Sequence, residues 1–317
     1  MLEKITLSYL TIASFINKQM LLVAFLLFYM SYFLQANAQS VHPALLLIRF
    51  FINVKQTISE NLNQQQIDFM LVLDDYELDI FTLDELKNKF NNKFQDINEL
   101  VENLVHKKIL SRIERGKYCR ANFNDEKVIG CFICDSGAIA YWSALNTHGL
   151  TEQFSNNLFI QTSRPKRSKT IFGTSYKFVN IVPSKITGIL LLGQGNKKYR
   201  ITDIEKTIVD CFDLHEYSGG YAELIREFNQ AKLSSDKMIT YCTAIDNIAA
   251  TKRMGFLAEL LEKKGLKTFV KYAKQQKNQS YNVFDPSGKD KGEFVNEWRL
   301  RLNISRNEIL DICNKQY

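Results

Sequence analysis

The spacing of apolar residues between positions 81 and 120 changes period twice. Leu83, Leu86 and Phe90 recur on one helical face behind Thr82, whose hydroxyl can cap the helix with Glu85 three residues on. A polar break at Asn91, Asn92 and Lys93 follows. Ile97, Leu100, Val101, Leu104 and Val105 then draw a second helical stripe behind Asp96, with Glu99 placed to answer that cap. From Ile109 the pattern shortens to two strands, Ile109 to Ile113 and Lys117 to Arg120. They flank Glu114-Arg115-Gly116, where glycine can take the positive φ of a tight turn. The order predicts a winged helix-turn-helix whose second helix would enter the major groove while the hairpin lies along the backbone. Lys55 to Tyr76 carries an imperfect stripe (Ile58, Leu62, Ile67, Leu71, Val72) and reads as the first helix of the same domain, residues 55–120.

Residues 121–135 read as a linker into a second domain, 121–317. Asp135 or Ser136 would cap a helix that Gly149 stops. Strand-like runs follow at 158–162, 176–182, 185–192 and 198–202. Thr202-Asp203-Ile204-Glu205 reads as a capping box opening a helix through Leu214. Helices at 221–231, from Ser234 or Ser235, and at 248–264 come next, then a polar loop at 285–292 and a last helix from about Ser305. The expected fold is α+β: a winged helix-turn-helix followed by a small mixed sheet with a C-terminal helical part.

The first 54 residues stand apart. Met20 to Phe33 is an apolar run preceded by Lys18 and followed by Ala36-Asn37-Ala38, the layout of a secretory signal. The run is short for a spanning helix, so a membrane partner is not expected. Export would keep a DNA-binding domain from its promoter. A start site nearer residue 50 and a cytoplasmic protein is the reading that reconciles the two.

Charge changes the picture more than composition does. Hydrophobic content of 45% and charged content of 24% are ordinary for a globular chain, and the net charge is only +7. Yet residues 153–202 carry nine basic side chains (Arg164, Lys166, Arg167, Lys169, Lys177, Lys185, Lys197, Lys198, Arg200) and no acid. Residues 55–120 hold ten basic and twelve acidic groups, a net of −2. Within that stretch Lys107, Arg112, Arg115, Lys117 and Arg120 gather on and beside the hairpin, so they are the expected phosphate contacts. Asn98 and Asn103 are the expected base readers, because an amide can bond adenine through two hydrogen bonds.

Little else points to chemistry. Cys131-Phe132-Ile133-Cys134 has C-x-x-C spacing but no second ligand pair, so packed thiols are expected and no metal or cofactor. Gly193-Gln194-Gly195 lacks the spacing of a phosphate loop. No nucleophile elbow, zinc-protease helix or Walker loop occurs, and no enzyme activity is expected.

Several second-domain motifs follow one another in a fixed order. They are Ser143-Ala144-Leu145 with His148-Gly149-Leu150; Asp203, Glu205, Lys206, Thr207 and Asp210; Gly219-Gly220; and Thr251-Lys252-Arg253 with Gly255-Phe256-Leu257. Behind a winged helix, this set resembles the AbiEi antitoxins of abortive-infection, type IV toxin–antitoxin systems, over residues 55 to 310. The resemblance implies two jobs: repression of its own operon by binding inverted repeats in operator DNA, and neutralisation of a nucleotidyltransferase-type toxin. Carried onto this chain, it points to Arg164, Lys166, Arg167, Lys169, Arg200, Lys206, Lys252 and Arg253 as a surface for the toxin or its nucleic-acid substrate. A second reading makes residues 164–200 an RNA- or toxin-binding surface and the winged helix a docking element.

Overall fold

The computed structural model describes residues 62–90, 93–276 and 278–314. The signal-like run at 20–33 lies outside them. Contacts divide the chain between Val72 and Leu73, inside helix α1 (Gln64–Asp75). The second unit, from Leu73 onward, is α+β. Among the described residues no helix is long and apolar enough to cross a membrane.

The unit opens with strand β1 (Ile80–Thr82), helices α2 (Leu83–Phe90) and α3 (Ile97–His106), and the hairpin β2 (Leu110–Glu114) and β3 (Lys117–Arg120). Thr82 Oγ1 accepts the Glu85 N–H at 3.0 Å, and Asp96 Oδ1 accepts the Asn98 and Glu99 N–H groups at 2.9 and 3.1 Å. Both caps are those expected from the sequence. β1 is an addition. It pairs antiparallel with β3 to give a three-stranded sheet of order β1-β3-β2. Three residues ending at a helix cap are too short to show a strand period.

The expected linker is instead helix α4 (Glu126–Ile133), capped by Asp125. Its centre, Gly130, packs so closely on the next sheet that an added Cβ would stand 2.7 Å from Ile160 Cδ1. A helix interrupted by glycine and rich in Ile, Phe and Cys reads from sequence as a connector. The helix expected from Asp135 begins later, as α5 (Tyr141–Thr147), because Ala138–Ile139 pair as strand β4.

β4 belongs to a six-stranded mixed sheet of order β6-β7-β5-β4-β9-β8, with β5 Asn157–Thr162, β6 Lys169–Ile171, β7 Thr174–Asn180, β8 Ile189–Leu192 and β9 Tyr199–Thr202. β5 runs parallel to β7, and β4 parallel to β9. Alternation along β5 divides the core between the two faces. Leu158 and Ile160 join Ile80, Ile113 and Cys119 of the hairpin region and Val128, Ile129 and Cys131 of α4. Phe159 faces the helical side. That side comprises α6 (Ile204–Asp213), α7 (Tyr221–Gln230), α8 (Ser235–Ile245), α9 (Ile248–Leu260) and α10 (Lys267–Gln276). A small sheet of order β10-β12-β11 (Asn282–Val283, Leu300–Leu302, Glu293–Val295) and α11 (Arg306–Asn314) close it.

Candidate nucleic-acid interface

Helix α3 buries Ile97, Leu100, Val101 and Leu104, which leaves Asn98, Glu99, Asn103 and His106 exposed on its outer side. Glu102, one of the two acids that would repel phosphate there, is occupied. It accepts the Tyr118 hydroxyl at 2.7 Å and pairs with the Arg112 guanidinium. Arg112 also donates to Tyr118 Oη at 3.2 Å and lies over that ring, 5.6 Å from its centre. The two partners, Tyr118 first, raise the Arg112 pKa further above its ordinary value. Lys107, which follows the last residue of α3, is exposed.

The hairpin cations divide into two groups. Arg115 is exposed at the turn before Gly116, whose φ is +75°, and it makes no ion pair among the described residues. Lys117 turns inward, with Nζ donating to Phe132 O at 2.9 Å and standing 3.4 Å from Glu114 and 3.5 Å from Asp135. Arg120 is held by Asp74 at 2.6 Å and Asp79 at 3.4 Å. The expectation that Lys117 and Arg120 grip phosphate therefore needs correcting. Both direct their donors to internal partners, because β3 is the central strand of its sheet and its side chains meet neighbours on both sides.

The lone acid of the hairpin organises what sequence treats as a separate surface. Glu114 accepts Lys166 Nζ at 3.2 Å, from the loop that joins β5 to β6, and also Lys169 Nζ, from the first residue of β6. Lys166 donates further to Ile133 O, at the end of α4. Burial would raise the Glu114 pKa, but the two lysines outweigh it and hold the carboxyl below its ordinary 4.5. Arg164 and Arg167, on the same loop, remain exposed. One carboxylate thus clamps the loop that carries Arg164 and Arg167 to the hairpin that carries Arg115.

Glu114→Gln should cost about 1.5–3 kcal/mol at pH 7, the scale of hydrogen bonds to a charged group. A depressed carboxyl pKa stabilises above the unfolded value and loses that stability as pH falls through the folded one. The gap between wild type and variant should therefore close in acid, which thermal melts across pH would read.

Four other candidates are interior or nearly so. Lys206 is 0% exposed and paired with Asp210 one turn on, itself 2% exposed. Lys252 is 0% exposed, and its Nζ donates to Asn278 Oδ1, Ser280 O and Arg299 O at 3.2, 2.8 and 3.3 Å. Burial lowers its pKa to about 8. Arg253 is buried and donates to Val283 O at 3.0 Å. Arg200 caps the end of α4, donating to Gly137 O at 2.7 Å, Cys134 O at 3.0 Å and Cys131 O at 3.3 Å. A surface role for these four is corrected to a structural one, because their donors are engaged inside the fold.

The Asp203–Asp210 motif is likewise a brace. Asp203, and not Thr202, caps α6, accepting Lys206 N–H at 2.8 Å as well as the Tyr241 hydroxyl at 2.7 Å and Lys237 Nζ at 3.0 Å. Glu205 turns away to accept Ser234 N–H at 3.1 Å and Lys237 Nζ at 3.2 Å. The motif ties α6 to α8. His148 Nε2 donates to Thr202 O at 2.7 Å at the end of α5. Cys131 and Cys134 are buried free thiols, and burial raises Cys131 to about 11. Among the described residues no cluster of His, Cys, Asp or Glu could hold a metal.

No family profile and no curated protein matches this chain. The fold is similar to the crystal structure of RV2827C protein from Mycobacterium tuberculosis, with a TM-score of 0.56 over 80% of this chain and 96% of that one, at 13% sequence identity. At that identity the likeness concerns the fold alone.

Proposed function

We propose that the chain is a DNA-binding autorepressor and antitoxin of the AbiEi type. On this reading residues 55–120 are its winged helix-turn-helix and 121–317 the antitoxin domain. The observation that carries the repressor half is the order strand, helix, helix, hairpin, with Asn98 and Asn103 exposed on the second helix and Arg115 exposed at the hairpin turn. In such an arrangement the helix reads base edges and the hairpin holds the backbone. The antitoxin half rests on the resemblance of the second-domain motifs, and its partner would be a nucleotidyltransferase-type toxin or that toxin's nucleic-acid substrate.

The experiment is binding to duplex from upstream of the protein's own gene, against a scrambled duplex of the same composition. Asn98→Ala with Asn103→Ala should reduce discrimination by about 1–3 kcal/mol for each base pair no longer read, and leave scrambled-duplex affinity unchanged. Equal weakening on both duplexes would place the helix outside the groove.

A second reading, of a module that binds RNA or the toxin directly through the surface at 164–200, is favoured by the exposure of Arg164, Arg167, Lys177 and Lys198. Charge reversal at Arg164 and Arg167 separates the two. Failed neutralisation with promoter binding intact supports the second reading.

A further inference from the structure

The six-stranded sheet ends at β8, whose one strand partner among the described residues is β9. Its other end, β6, is blunted: three residues long, it opens on Lys169, which reaches back to Glu114. β8 carries no such device. Its sequence is Ile-Leu-Leu-Leu, without charge or proline, and its register with β9 is unbroken. Leu190, Leu191 and Leu192 are 42%, 61% and 37% exposed. Consecutive strand residues point to opposite faces, so three exposed in a row leave leucine bare on both sides of the strand as well as along its outer edge.

The strand is also held in place. Gly188 has φ +63°, and a Cβ there would lie 2.8 Å from both Lys206 and Tyr241. Gly193 has φ +92°, and a Cβ there would lie 2.1 Å from Lys197 O. Both ends therefore need glycine, and between them the backbone is a fixed template whose outward N–H and C=O groups have no backbone partner among the described residues.

We propose that β8 is a docking edge that accepts an extended apolar segment of another protein, flanked by acidic residues, as a seventh strand. Charge selects this occupant. The strand lies in the stretch 153–202 that contains no acid, and its hairpin turn carries the exposed Lys198, which makes no ion pair among the described residues, and the exposed Lys197, 4.0 Å from Asp79. A second copy is the wrong occupant, since the stretch around its own β8 brings no acid to the basic turn. The inference is independent of the DNA reading and gives the partner-binding half of the proposed function a definite surface.

The test uses the full chain and a short fluorescent peptide of alternating valine and leucine with glutamates at both ends, read by anisotropy. The glutamate peptide should bind, and a version with lysine ends should bind roughly tenfold more weakly. Leu191→Lys should weaken binding roughly tenfold, and Leu192→Lys likewise, with melting temperature unchanged in at least one of the two. Undetectable binding, equal binding of the two peptides, or equal binding to wild type and both variants would overturn the proposal. So would a dimer in sedimentation that Leu191→Lys abolishes, because the edge would then be taken by a second copy. Promoter binding is read separately, so failure here leaves the repressor reading untouched.

Discussion

Lys206→Met should destabilise the protein by about 3–5 kcal/mol, the cost of leaving one member of a buried ion pair without the other. Lys206 and Asp210 sit one turn apart on α6, both shielded from water. Burial already raises the Asp210 carboxyl to about 6, against the pull of Lys206, and its second oxygen has no partner among the described residues. Without the lysine that carboxyl is pushed higher still. An acid whose folded pKa exceeds its unfolded value loses stability as pH rises between the two. The deficit of the variant should therefore widen above pH 6, in denaturant melts at several pH values. Lys206→Met with Asp210→Leu should recover most of the stability, since no charge is then stranded. A surface lysine would instead change stability by less than about 0.5 kcal/mol.

Glu227→Gln should remove most of the decline in stability between pH 4.5 and 9. Glu227 is 0% exposed on α7, and neither carboxyl oxygen has a hydrogen-bond partner among the described residues. Burial raises its pKa from 4.5 to about 9, helped by Glu223 and opposed by Arg226. The folded state keeps the proton that the unfolded chain releases. The stability is complete below 4.5 and falls by up to about 1.4 kcal/mol per pH unit above it. Between pH 4.5 and 7 the variant should gain about 3 kcal/mol on the wild type. A gap independent of pH would mean that the carboxyl is ionised in the folded state and stabilised there.

Both predictions concern buried charges that the sequence does not mark as buried, and the reason is common to them. A helix stripe records where apolar residues face a core, but Lys206, Asp210, Glu227 and Lys252 are charged residues facing inward. Nothing in their spacing tells them from solvated neighbours. At Lys252 the carbonyls that make burial tolerable, Ser280 O and Arg299 O, come from far along the chain. The caps at Thr82 and Asp96 and the glycine turn at Gly116 are legible because each is settled locally between backbone and side chain. β1, β4, β6 and the small C-terminal sheet are not, since strands of two or three residues take their form from partners far along the chain. For the candidate interface the sequence locates the cations but not their partners. It separates hairpin from basic loop because Glu114 is one acid among many along the chain, whereas in space it meets Lys166, Lys169 and Lys117 together.

If the hairpin turn and the loop at 163–168 form one phosphate-gripping surface, the salt dependence of duplex binding must register all three of its exposed arginines. The measurement compares wild type with a chain carrying Arg115→Ala, Arg164→Ala and Arg167→Ala together. Removal of one phosphate partner flattens the slope of log affinity against log salt by about 0.9. The triple variant should therefore show a slope shallower by roughly two to three units, and bind promoter and scrambled duplex more weakly by the same factor. A slope and affinity equal to those of wild type would mean that duplex is not held here.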